Sequence, residues 1–145
     1  MNRIFLFILC FIVHSKSYCT ENSIRYTGQQ PKDSTEYLFE FEMRYVGSST
    51  TLDINYRYVI EHLIETLRNN QDLSVHIRGH VCCGPSDKIS KRRAKNVYKI
   101  LKRAGISENR ISYKGYSDSL PSIFPEETEE DEMANRRVDF IIRRQ

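Results

Sequence analysis

Cys82 and Cys83 are adjacent, and His76, His80 and Cys82 recur at even spacing on the strand-like segment that leads to them, so imidazole and sulfur share one face. Imidazole and thiolate together are a ligand set for zinc or copper. Spacing by two along a strand sets successive ligands about 7 Å apart, too far for three to meet one ion, so no metal site is assigned. A disulfide between neighbours must hold its Cα atoms about 3.8 Å apart, below the usual range. A bridge and two free thiols therefore both stay open for Cys82 and Cys83. The chain carries no Ser-His-acid order at credible spacing, no glycine-rich phosphate loop and no paired carboxylates in an apolar setting. The expectation is a binding module and not an enzyme, with no cofactor.

Charge offers the second kind of chemistry. Lys88 to Arg103 holds eight Lys or Arg and no acid, whereas Glu126 to Glu132 holds six acids in seven positions. Such a divided surface does not suit a nucleic-acid partner. The formal charge of +3 is partly N-terminal, because Arg3 and Lys16 precede residue 18 and the remainder carries +1. Ile4 to Val13 is an apolar run of ten residues behind Arg3, too short to span a bilayer and of the right length for the h-region of an export signal. Ser15 and Ser17 supply small residues at −3 and −1, so residues 1–17 are expected to be a signal peptide cleaved after Ser17. Cys19 is a lipidation candidate, although Tyr18 stands where a lipobox has a small residue. Residues 18–35 are polar, with Gly28 and Pro31, and read as a leader or tether.

The elements that must position these residues follow from periodicity. Tyr37 to Met43 alternates, with Phe39 and Phe41 on one face and Glu40 and Glu42 on the other. Asp53 can cap a helix to about Asn69, whose Tyr56, Val59, Ile60, Leu63, Ile64 and Leu67 form an apolar stripe. Leu73 to Val81 alternates again. Ser90 can cap a second helix to Ala104, with Ala94, Val97 and Leu101 inward and Gly105 as its stop. Ile111 to Gly115 and Arg137 to Ile142 complete the pattern. The spacing predicts an α/β sandwich of order β-α-β-α-β-(acidic loop or short helix)-β, with helices on one face of a mixed four-stranded sheet, over residues 36–145.

Within that order, Gly79-His80, Ser90-x-x-Arg93-Ala94, Gly105-Ile106, Arg110-Ile111, Gly115-Tyr116 with Pro121, and Asn135-Arg136-Arg137-Val138-Asp139-Phe140 resemble the OmpA-like domain, the C-terminal domain of outer membrane protein A. The ordered set carries the resemblance, and it spans about three quarters of the chain when Phe39-Glu40-Phe41-Glu42 is included. The resemblance implies an exported module, periplasmic or associated with the outer membrane. It would bind peptidoglycan non-covalently through the stem peptide, and outer-membrane proteins are possible further partners.

In the family an Asp pairs with the diaminopimelate ammonium, and the Arg that falls on Arg93 pairs with a carboxylate of the same residue. A zwitterion wants one fixed anion and one fixed cation, and a guanidinium fork suits the carboxylate. Here Cys82 occupies the Asp position. Glu42 or Asp87 is expected to supply the anion instead, and Asn135 and Arg136 either lie near the pocket or, as the start of an edge strand, guard against edge pairing. The alternative is an OmpA-like fold whose ligand binding is lost or altered, acting in protein interaction or as a Cys82–Cys83 redox sensor.

Overall fold

Period-two segments of this sequence become strands and its apolar stripes become helices in a computed structural model that describes residues 36–39 and 41–145. The expected signal (1–17), the expected leader (18–35) and Cys19 lie outside the described residues. The elements are β1 (Glu36–Leu38), β2 (Met43–Arg44), α1 (Arg57–Asn69), β3 (Leu73–Gly79), α2 (Asp87–Arg103), β4 (Ile111–Gly115), α3 (Glu129–Asn135) and β5 (Arg137–Arg144). Asp53 caps as expected, but through a 3-10 turn, Ile54–Tyr56, that leads into α1.

The mixed sheet has five strands, not four, in the order β1-β5-β3-β4 with β2 also on β5. β3 and β4 are parallel and joined through α2, while β5 runs antiparallel to β1, β2 and β3. The extra strand arises because the segment expected to be one strand is broken. Between Leu38 and Met43 the chain advances five residues while its partner advances three, from Ile141 to Val138. That surplus is a bulge. It lets Phe39 and Phe41 both turn toward α1, where their rings lie 5.6 and 5.4 Å from His62.

The acidic segment, expected as a loop or a short helix, holds the helix α3. Thr128 accepts from the Asp131 N–H and the Asp131 carboxylate accepts from the Thr128 N–H, a capping box. Acids in the first turn also suit the positive end of the helix. β5 is interior, so Arg137, Asp139 and Ile141 on its second face are buried as thoroughly as Val138, Phe140 and Ile142 on its first. The edge-guard reading of Arg136-Arg137 therefore fails, because both sides of β5 are already paired.

The stripes of α1 and α2 meet β3 and β5 in one core built on Val59, Leu63, Ile77, Val97, Leu101 and Phe140. Gly105 stops α2 as expected: its N–H donates to Lys102 C=O, and Ile106 N–H donates to Leu101 C=O, which is the Schellman pattern. Two other glycines set how closely α2 approaches. A Cβ at Gly79 would lie 2.0 Å from the Ser90 carbonyl oxygen, and one at Gly115 would lie 2.5 Å from both the Lys91 nitrogen and the Ser90 hydroxyl. The helix rests on strand backbone at both points.

Gly79→Ala and Gly115→Ala should each cost about 3 kcal/mol, the upper end of overpacking penalties. Gly105→Ala adds a side chain into open space at φ +84 and should cost only about 1 kcal/mol. Denaturant midpoints at constant m-value measure the difference. Equal losses at the three positions would show that α2 has room to move.

Candidate functional site

Beyond Gly79 the chain leaves the sheet and turns into α2 through Cys83 and Gly84, whose φ angles of 61° and 107° are left-handed. Neighbouring backbone fixes the path. His80 N–H donates to Arg137 C=O and Val81 N–H donates to Ser117 C=O. The Ser117 hydroxyl accepts from Ser86 N–H at 2.7 Å, and Ser117 N–H donates to the Ser90 hydroxyl at 3.2 Å. Ser90 is thus not the cap. α2 begins at Asp87, behind Ser86, and Ser90 is buried in its first turn because that hydroxyl meets Ser117 and donates to Asp87 C=O.

One turn further along, Arg93 is fully buried. Its Nε donates to Ser49 C=O at 2.9 Å, one terminal nitrogen to His80 C=O at 2.8 Å and the other to Gly47 C=O at 2.6 Å. The guanidinium also lies 4.7 Å above the Tyr45 ring. Burial lowers the Arg93 pKa to about 10 and raises that of Tyr45 to about 12, so the guanidinium stays charged and the phenol neutral at physiological pH. Five donors less three bonds leave one N–H on each terminal nitrogen.

Arg93 forms part of the lining of a cleft of about 480 Å³, together with Gly47 and Ser48 on one side, Cys82, Cys83, Ser86 and Ile89 on another, and Arg136. The structure joins Cys82 and Cys83 in a disulfide. Their sulfurs and a Glu132 oxygen lie within 4.8 Å of one another, but sulfurs bonded to each other are not thiolate donors to a metal. Arg136 follows α3 and donates through one terminal nitrogen to Glu132 at 2.9 Å and to Cys82 Sγ at 3.4 Å.

Of the residues expected at the site, Arg93, Arg136 and Cys82 come together on the cleft. Glu42 is turned to Arg44 at 3.0 Å and Arg137 at 3.7 Å, and Asp87 is exposed on α2; neither lines the cleft. Asn135 is buried behind it and organises residues 122–126. Its oxygen accepts from Ser122 and Ile123 N–H, and its nitrogen donates to Ile123 C=O and to Glu126. The other Glu126 oxygen accepts from Cys83 N–H at 3.2 Å, which brings an unexpected carboxylate to the disulfide. Its place in an acidic run gave no local signal of that role.

Behind the cleft the second sheet face carries an ionic cluster. Asp139 accepts two bonds from Arg78, pairs with Arg137 at 3.1 Å and lies 3.3 Å from His80 Nε2. His80 is buried and stacked on Tyr116. His76 is half-buried between Ser112 and the Tyr116 hydroxyl. Burial raises the Asp139 carboxyl, but its contacts with His80 and Arg78 outweigh that and hold it below the usual carboxylate range. Burial lowers the His80 and His76 imidazoles below their ordinary value.

Both shifts make acid destabilising. Below about pH 6.5 the unfolded chain takes up histidine protons that the fold resists, and below about pH 4 it takes up the Asp139 proton as well. Denaturant midpoints should therefore fall in two stages on acidification, with His80→Gln diminishing the first. Asp139→Asn at pH 7 should cost about 3 to 5 kcal/mol by removing the buried carboxylate that Arg78 and Arg137 share. A flat midpoint from pH 7 to 5 would contradict the first assignment.

Comparison with known proteins extends this geometry. The family model described as the OmpA family matches residues 44–136. The peptidoglycan-associated lipoprotein of Burkholderia pseudomallei superposes with a TM-score of 0.65 at 15% identity, covering 70% of this chain and 89% of that one. The C-terminal domain of Helicobacter pylori MotB gives 0.66 at 20% identity, covering 72% and 85%. The cell wall anchor of the T6SS from Pseudomonas aeruginosa gives 0.63 at 19% identity, covering 77% and 89%. No curated protein sequence matches. With the family match covering more than half of its residues and the fold shared with these structures, the chain belongs to the OmpA family.

Proposed function

We propose that this chain is a non-catalytic module of the cell envelope that binds peptidoglycan through the cleft between the Gly47–Ser48 loop and the start of α2. The observation that carries the reading is the sign of that cleft. Among the described residues, Arg93 and Arg136 contribute to its lining and no carboxylate does. The N-terminal end of α2 contributes Ser86 and Ile89 to the same wall and adds positive potential there. Such a site receives a carboxylate, and the stem peptide of peptidoglycan presents carboxylates on a flexible polymer. The peptidoglycan-associated lipoprotein and the cell wall anchor among the structures of the same fold support the choice of polymer. The work belongs outside the cytoplasm, in the periplasm or tethered to the outer membrane, with Cys19 as the candidate anchor.

The roles of the two arginines differ. Arg93 fastens three backbone carbonyls, so it is as much a wall of the cleft as a ligand group. Arg136 is held by Glu132 and Cys82 alone, which leaves it better placed to take the ligand's carboxylate.

Sedimentation of the full chain with purified sacculi tests the reading. The protein should pellet with sacculi, and Arg136→Gln should weaken binding about tenfold or more, the loss of a charge-assisted bond of about 1.5 to 3 kcal/mol, with its circular dichroism unchanged. Arg93→Lys should lower stability as well as binding. Protein that stays in the supernatant at every sacculus concentration would sink the proposal.

A further inference from the structure

We propose that the Cys82–Cys83 bridge sets which ligand the cleft takes: closed, it leaves a carboxylate site, and reduced, it supplies the anion that makes a site for a zwitterion. The inference rests on the peptidoglycan reading and deepens it by naming what controls the ligand's second charge.

Four observations converge on the bridge. Cys82 and Cys83 both line the cleft that Arg93 and Arg136 line. In the disulfide the sulfurs carry no charge, and Glu132, an oxygen of which lies within 4.8 Å of them, is bonded to Arg136. Among the described residues that line it, the closed cleft therefore has two cations and no anion. Cys83 is exposed while Cys82 is partly buried, so a reductant reaches Cys83 first. Arg136 lies 3.4 Å from Cys82 Sγ, which makes Cys82 the sulfur that departs most readily as thiolate.

The reductant is a dithiol. Its thiolate attacks Cys83 Sγ, a mixed disulfide forms, the Cys82–Cys83 bond breaks, and Cys82 leaves as a thiolate beside Arg136. The reductant's second thiol then attacks the mixed disulfide at the reductant's own sulfur, closing the reductant's disulfide and freeing Cys83. Two electrons pass from the reductant to the bridge. Of the reductant's two protons, one ends on Cys83 and the other goes to solvent. The Cys82 thiolate now shares the cleft with Arg93 and Arg136, so one fixed anion stands beside fixed cations, the arrangement that an amino-carboxylate ligand matches. Glu126 does not fill this role in the closed form, because Asn135 and Cys83 N–H already engage its two oxygens.

The full chain, oxidised and after dithiothreitol, is titrated with meso-diaminopimelate and with pimelate, the same carbon chain without amino groups. The oxidised protein should bind the two within about threefold of each other, and reduction should raise the preference for diaminopimelate about tenfold. Cys82→Asp should show the reduced preference with or without dithiothreitol, and Cys83→Ser, which leaves Cys82 a free thiol, should do the same without a new carboxylate. The double variant Cys82→Ser/Cys83→Ser should keep the oxidised preference throughout. A preference that does not change on reduction, or no binding of either compound in either state, overturns the proposal. Sacculus binding separates the two failures: an unchanged preference in protein that still pellets with sacculi refutes the redox control alone, whereas loss of pelleting refutes the peptidoglycan reading.

Discussion

A guanidinium removed from water must find acceptors for its N–H groups, and the way Arg93 finds them fixes the geometry around the cleft. Gly47 and Ser49 belong to one loop and His80 to the end of β3, and each presents a backbone carbonyl to the same side chain. Buried carbonyls without donors are costly, and so is a buried cation without partners, so the two segments and the helix that carries Arg93 are stable together or not at all. The Tyr45 ring completes the enclosure from β2's side of the fold. The cleft is the space left between parts that this one cation holds in register.

The same device appears at the other end of β3 with a different result. Arg110 is buried, and it donates to Leu67, Asn70 and Leu73 carbonyls and to the Gln71 side chain. It ties the end of α1 to the start of β3 and is not among the residues that line the cleft. Two buried arginines of similar appearance are thus distinguished by how many donors remain and by what lies beyond them. Arg93 reaches its place because α2 sits against the backbone of β3 and β4, which Gly79 and Gly115 permit by having no side chain. A helix displaced outward by one methyl group would carry the guanidinium away from its carbonyls.

Local pattern made much of this fold legible. Alternation located β3, β4 and β5, the apolar stripes located α1 and α2, and Gly105 marked the end of α2. The misses share a cause, which is that the deciding partner lies far away in the chain. Ser90 reads as a cap because its type is right, but Ser117 and Gly115 draw it into the helix. The first strand breaks because β5 offers three residues against five, a mismatch visible only once the two are paired. At the site, the ordered motifs located Arg93 and Arg136. Which carboxylate accompanies them was not legible, because Glu126 reaches the disulfide only through the loop that Asn135 folds.

The distribution of charge then sets the sign of the cleft. Eight basic residues in Lys88–Arg103 and six acids in Glu126–Glu132 look like solvated surface when read along the chain. Folding selects one or two from each run and neutralises unequally. Glu132 is spent on Arg136, Glu126 is spent on Asn135 and Cys83, and Arg93 remains a cation surrounded by carbonyls, which are dipoles and not charges. The fixed scaffold therefore always presents positive charge to the cleft, and its negative counterpart cannot come from a carboxylate already bonded elsewhere. Position 82 is the place in the lining where a single side chain can alter that balance, because it adjoins Arg136 and its sulfur is neutral or negative according to whether it is bonded to Cys83. On the proposed reading, recognition of the ligand's carboxylate is built into the fold, while recognition of an ammonium depends on the chemistry of one loop.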